Sequence, residues 1–337
     1  MSYAAGINRR TFLGAMSAGL LAAPPALEAQ PGGKVWRIGL IYSSLPPAPL
    51  GQGPFYDRMR ELGWVYERDF VAEQRAFGER YELVPDIAKE LIRWGVDVFV
   101  VTGGGEAFRM QPVTTTIPIV TSMAGDLVVT GVAASLARPG GNVTGVQTLM
   151  PELVGKHLSL LKEVIPHLSR SGVLFQSPDA PQLGSFDAVI SREADTAAKS
   201  LGIKLQHVTV RDADEFEQAF STFHRERAQA IVIPRNAFMG THTKTLTTLG
   251  LKHRLPTISD IPGLAAQGGL MSYGYNLDDA VRLSADFVDK IMRGAKVGET
   301  PIQQPTRFRL VINLKTAKAI GLTIPQSLLL RADQVIQ

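Results

Sequence analysis

The chain has 337 residues, 35 basic against 31 acidic side chains, no cysteine, and a composition that is 45% hydrophobic and 20% charged. Such a length and composition suit a soluble globular protein of two ordinary domains, and a net charge of +4 without any basic block or stripe argues against a nucleic-acid partner. The missing thiols exclude disulfides, thiolate metal sites, thiol catalysis and the lipidated cysteine that tethers many exported proteins.

In chain order, the first feature is the stretch NRRTFLGAMSAGLLAAPPALEAQ at residues 8–30. Two arginines precede a short apolar run that ends in small residues, the build of a secretory signal peptide. Gly14, Ser17, Gly19 and Pro24 leave it too short and too interrupted to span a bilayer, which takes about 20 apolar residues. Arg9-Arg10-Thr11-Phe12-Leu13 resembles the core of the twin-arginine export motif. Residues 1–29 are therefore expected to be a leader cut after Ala29, sending the protein to the periplasm, and no later stretch is apolar enough for stable membrane insertion.

From Val35 onward short apolar runs alternate with helical periodicity. RIGLIYSS (37–44), VDVFVVTGG (96–104) and IPIVTS (117–122) read as strands. So do GVLFQS (172–177), QAIVIPRN (229–236), LPTISD (255–260) and GLMSYG (269–274) in the second half. Continuous apolar runs suit strands covered on both faces, as in parallel sheets. Between them, apolar positions 83, 84, 87, 88, 91 and 92 make one helical stripe closed by Gly95, and further stripes run through 151–166 and 276–294. Pro139, Gly140 and Gly141 interrupt the pattern before a short strand that leads out of the first half. The expectation is an α/β protein with two doubly wound parallel-sheet lobes and a hinged cleft between them.

Ligands of open parallel sheets bind beyond the carboxyl ends of the strands. Those ends read Ser43-Ser44, Thr102-Gly103-Gly104-Gly105, Thr121-Ser122, Gln176-Ser177, Arg235-Asn236, Ser259-Asp260 and Ser272-Tyr273. Hydroxyls and free backbone N–H groups in such places suit a carboxylate, although the same residue types also serve plain turns. Asp126, just past the IPIVTS strand at the expected mouth of a helix, reads equally as an N-cap or as the partner of a ligand ammonium. TGGGEAF matches no nucleotide-binding pattern, the six histidines form no metal-binding spacing, and G-x-x-S-x-G around Ser272 is not a nucleophile elbow. No cofactor is expected.

The leader, AGD at 124–126, GVAASLARPGGNVTGV at 131–146, GGLMSYG at 268–274 and the closing stretch 303–337 with INLKTAKAIGL resemble the bacterial ABC-transporter substrate-binding proteins grouped with tryptophan/tyrosine uptake components. The resemblance implies a periplasmic-binding-protein type I fold with three crossings between lobes. One lobe would comprise 34–148 and 275–298, the other 149–274 and 299–337. It further implies a monomer that holds a small ligand, amino-acid-like or an aromatic carboxylate, and presents it to an ABC permease in the inner membrane. Ser43, Ser44, Thr102, Gly103, Gly104, Asp126 and Tyr273 match the family's pocket positions; Ser122, Ser177, Asn236 and Asp260 join them as strand-end residues. In this reading strand-end hydroxyls and N–H groups hold the carboxylate, Asp126 the ammonium, and Tyr273 or Phe108 the side chain. The loops LPPAPLG, TGGGEAF, AGDLV, QSPDAP and PRNAFMG depart from the family pattern, all at the cleft's mouths. A sensory ligand-binding protein, or an exported two-domain hydrolase or racemase, are the alternatives.

Overall fold

The computed structural model describes residues 34–43, 49–78, 80–148, 150–177 and 181–337; the expected leader, Ser44 and the loop that follows it lie outside them. From Val35 to the C-terminus the chain forms one compact unit built on two sheets. In the first, β1 (Trp36–Tyr42), β2 (Phe70–Ala76), β3 (Val98–Val101), β4 (Ile119–Ala124) and β5 (Val143–Gln147) lie in the order β2-β1-β3-β4-β5, all parallel. In the second, β6 (Arg170–Gln176), β7 (Lys204–Val210), β8 (Ile231–Ile233), β9 (Thr257–Ser259), β10 (Met271–Tyr275), β11 (Phe308–Asn313) and β12 (Gln334–Ile336) lie in the order β12-β11-β10-β9-β8-β6-β7. Only β10 and β11 pair antiparallel there.

Each sheet is apolar on both faces and each face carries helices, the arrangement that continuous strand hydrophobicity requires. Helices α1 (Pro54–Glu61), α2 (Val84–Trp94) and α3 (Gly104–Met110) belong to the first sheet, with α2 and α3 on one face around Phe99, Val101 and Ile119. α2 ends as its sequence requires: Gly95 adopts φ 89°, a left-handed C-cap open to glycine at little cost. Around the second sheet lie α4 (Met150–Val164), α5 (Pro181–Leu201), α6 (Phe216–Arg225), α7 (Ala237–Thr241) and α8 (Thr243–Lys252). The chain closes with α9 (Leu277–Met292), α10 (Leu314–Ala319) and α11 (Gln326–Leu329).

α9 follows a strand of the second sheet but covers the first. Its Phe287, Val288, Ile291 and Met292 are buried against Ile38, Leu40, Phe70, Val98 and Val100, a burial worth roughly 6 to 12 kcal/mol as an upper bound. Arg58 of α1 pairs with Asp286 at 2.8 Å, and the Trp64 indole donates to Asp289 at 2.8 Å, which holds the helix in place. The chain therefore passes between the sheets after β5, after β10 and before β11. The crossings are tied to one another: Gln147 N–H donates to Gln303 C=O and Gln303 N–H to Gly145 C=O, each at 2.9 Å, while Asn276 caps α9 through the Asp278 N–H at 3.0 Å.

Around β4 the structure differs from the sequence expectation in two ways. β4 runs two residues past Ser122, to Ala124, leaving Ser122 buried inside the strand. Asp126 precedes a turn over 127–131, not a helix. The turn stops there because Val132 and Ala133 fold back, both donating N–H to Leu127 C=O at 2.9 Å.

Candidate functional site

The carboxyl ends of β1, β3 and β4 bring Ser43, Thr102 and Asp126 to one edge of the first sheet, as the parallel order demands. Thr102 C=O accepts from Met123 N–H at 2.7 Å, stitching two of these ends together. Gly103 is the extended residue before α3, and glycine suits it because a Cβ there would stand 3.0 Å from Glu106 Oε2. A Cβ at Gly104 would reach Leu127 Cδ2 at 3.4 Å, so the Asp126 turn packs directly on the glycine loop. Asp126 acts as a cap: its Oδ1 accepts from Val128 N–H at 2.9 Å and Val129 N–H at 3.0 Å.

Sequence reasoning passed over Glu106, and the structure makes it a central feature. Its carboxyl is buried at 2% exposure beneath the glycine loop. Burial pushes its pKa up to about 7, against the N–H groups of Glu106 itself and Gly103 and the positive charges of Arg109 and Arg235, which favour the ionised form. Arg109 is held on the same helix by Gly105 C=O at 3.1 Å and by the face of Tyr81, 4.6 Å from the ring centre.

On the second sheet, β8 and β9 end side by side, which places Arg235 against Asp260. Asp260 Oδ2 accepts from Arg235 Nε at 3.2 Å and Oδ1 from the Arg235 backbone N–H at 3.2 Å. Both side chains are nearly out of water, at 13% and 4% exposure. Arg235 Nη2 also reaches Met123 C=O of the first sheet at 3.4 Å. The two sheets thus meet at a seam where Glu106, Arg235 and Asp260 converge, and nothing in the separate strand patterns announces that convergence.

The remaining expected residues fall around this seam differently. Asn236 is engaged in capping α7, accepting from Met239 N–H at 2.7 Å and donating to Gln176 Oε1 at 3.1 Å. Ser177 is exposed, its N–H on Val210 C=O at 2.8 Å. Tyr273 lies within β10 with its ring stacked on Phe308, centres 5.5 Å apart, and edge-on to His157. Phe108 packs into the apolar cluster of the first sheet. Beside Asp260 a cavity of about 140 Å³ opens, lined among others by Ser272, Gly274, Asn276 and Arg309. It is smaller than the roughly 300 Å³ at which drug-sized ligand pockets begin.

Behind Asp260, His157 is fully buried, with Nε2 at 2.7 Å from Tyr273 C=O and Nδ1 without a hydrogen-bond partner among the described residues. A carbonyl only accepts, so the proton sits on Nε2. Burial lowers its pKa, against the opposing pull of Asp260 and of the Tyr273 carbonyl. The folded pKa lies below the unfolded one, so this contribution to stability is complete above about pH 6.5 and is lost as pH falls below it. Urea unfolding of the wild type and of His157→Gln, which keeps a donor for Tyr273 C=O, should diverge on acidification. The wild type should lose up to about 1.4 kcal/mol more per pH unit below pH 6.5, and parallel profiles would contradict a buried neutral imidazole.

Among the described residues no helix is long and apolar enough to cross a membrane, and no group of three or more histidines and carboxylates is placed to hold a metal ion. Two doubly wound α/β lobes with strand ends converging between them make up the fold of the periplasmic-binding-protein type I kind, and solved structures share that fold. One is a conserved domain protein from Vibrio cholerae, 23% identical, matched over 90% of this chain and 100% of that one with a TM-score of 0.81. Another is the ABC domain from Streptococcus pneumonia in complex with L-Trp, 22% identical over the same shares, also with a TM-score of 0.81. The family described as ABC transporter substrate binding protein matches residues 55–336, and the chain belongs to it. A tyrosine-binding protein of Clostridioides difficile is 22% identical over 209 residues, which cover 62% of this chain and 58% of that protein's length.

Proposed function

We propose that this chain is an exported solute receptor that closes on a small amino-acid-like or aromatic carboxylate ligand and hands it, as a monomer, to an inner-membrane ABC permease. Its lobes comprise 34–148 with 275–298 and 149–274 with 299–337, and closure bends the three crossings. The twin-arginine leader at 1–29, cut after Ala29, delivers it to the periplasm. Ser43, Ser44, Thr102, Gly103 and Gly104 offer hydroxyls and N–H groups to the carboxylate, and Asp126 an oxygen to the ammonium. Ser122, Ser177, Asn236, Asp260 and Tyr273 complete the set as a structural surround.

The observation that carries this reading is the direct contact of the two lobes' strand ends at Arg235 and Met123, beside the glycine loop. Family membership supplies the receptor role, and the L-Trp and tyrosine relatives suggest the ligand class. The test is thermal unfolding of the mature protein against amino acids, aromatic acids and nucleosides. A ligand at 100 times its dissociation constant should stabilise by about 2.7 kcal/mol, and Asp126→Asn should reduce that shift for amino acids only. A flat panel from folded, ligand-free protein would reject the proposal.

A further inference from the structure

From the position and unspent donors of Arg235 we infer that this arginine joins the strand-end hydroxyls and N–H groups in reading the ligand's carboxylate and makes the receptor selective for acids over their amides. The inference rests on the receptor reading above and names the group that decides its ligand class.

Arg235 sits at the end of β8, on the seam, and its partners use only part of the guanidinium. Nε donates to Asp260 and Nη2 makes one long contact to Met123 C=O, while Nη1 has no hydrogen bond among the described residues. Glu106 is near enough for its charge to be felt at this arginine, yet its hydrogen bonds go to its own N–H and that of Gly103. The terminal edge of a guanidinium at 13% exposure is thus left without a full set of acceptors. That edge still meets solvent, and a planar fork is the geometry that a carboxylate fills with two parallel bonds. Asp260 contributes by fixing the plane: it grips both the backbone N–H and Nε, so the free edge is aimed and not swinging. A carboxamide offers one acceptor and no charge, and its NH2 would face donors.

The experiment measures binding of L-tyrosine, L-tryptophan and phenylacetate, each beside its carboxamide, to the mature wild type, Arg235→Gln and Arg235→Lys. Wild type should prefer at least one acid over its amide by roughly 10- to 100-fold, the expected value of a charge-assisted pair. Arg235→Gln should erase that preference, and Arg235→Lys, which keeps the charge without the fork, should retain part of it. Should Arg235→Gln fail to fold with Asp260 orphaned, Arg235→Gln combined with Asp260→Asn provides the neutral pair for the same comparison. An undiminished preference in the glutamine variant, or none in the wild type when it binds both forms, overturns this inference and leaves the receptor standing. Absence of any binding by wild type, across acids and amides alike, overturns the receptor reading and the inference with it.

Discussion

Gly145→Ala should destabilise the protein by about 3 to 5 kcal/mol, among the largest effects of any single methyl group in this chain. Gly145 has φ +129°, and a Cβ there would stand 2.3 Å from Thr121 O and 2.5 Å from Thr121 N. These are backbone atoms of the neighbouring strand and cannot rotate aside. The pairing of β4 with β5 already changes register between Thr121 and Ala124, and the Thr121 hydroxyl bridges the break by donating to Val146 C=O at 3.1 Å. Relief of the clash must push β4 outward, and β4 carries Met123, whose N–H and C=O link Thr102 to Arg235. Urea unfolding measures the loss, and Gly141→Ala is the control, since nothing lies within 4 Å of a Cβ at that position. The control should change stability by no more than about 0.5 kcal/mol. Equal, small effects at both positions would show that β4 and β5 are not packed as described.

Glu106→Gln should stabilise the protein above pH 7 and not below about pH 4.5. Burial raises the folded pKa from 4.5 to about 7, against the N–H groups and arginines named above. Between those values the folded state holds a proton that the unfolded chain has released, so wild-type stability falls as pH rises through this window and levels off above it. The shift corresponds to about 3 kcal/mol at full ionisation. Glutamine removes that penalty but leaves one backbone N–H facing an amide, which costs about 1 kcal/mol in return. The expected gain at pH 8 is therefore about 1 to 3 kcal/mol, shrinking to a small loss at pH 4. Unfolding free energies of the two proteins across that range decide it. A variant less stable than wild type at pH 8 would show that the carboxylate is held ionised by Arg109 and Arg235.

The contrast between these two residues shows what could be read in advance. Gly145 stands in a stretch carried by family resemblance, and its neighbourhood reads as a short strand. Its left-handed φ depends on how β5 meets β4 and has no local marker. Glu106 follows three glycines at a strand's end, so a turn is legible, whereas the burial of its carboxyl beneath that loop has no local marker. Asp126 carried two equal readings in sequence. The geometry shows the cap, with Oδ1 on two backbone N–H groups, and assigns nothing yet to an ammonium. Tyr273 was placed at a strand end by the apolar run GLMSYG, but β10 continues to Tyr275 and puts the ring against Phe308.

By itself the sequence determined the alternation of strand and helix, the stripes that α2, α4 and α9 bury, and the glycine that closes α2. Those features follow from contacts between near neighbours along the chain, and hydrophobic periodicity encodes them directly. Tertiary structure alone decided that α9 returns to the first sheet, that β11 inserts antiparallel beside β10, and that Glu106, Arg235 and Asp260 meet at one seam. The physical reason is that long-range placement of charge is set by crossovers and sheet order. Each charged residue, read locally, stands only at the end of its own strand.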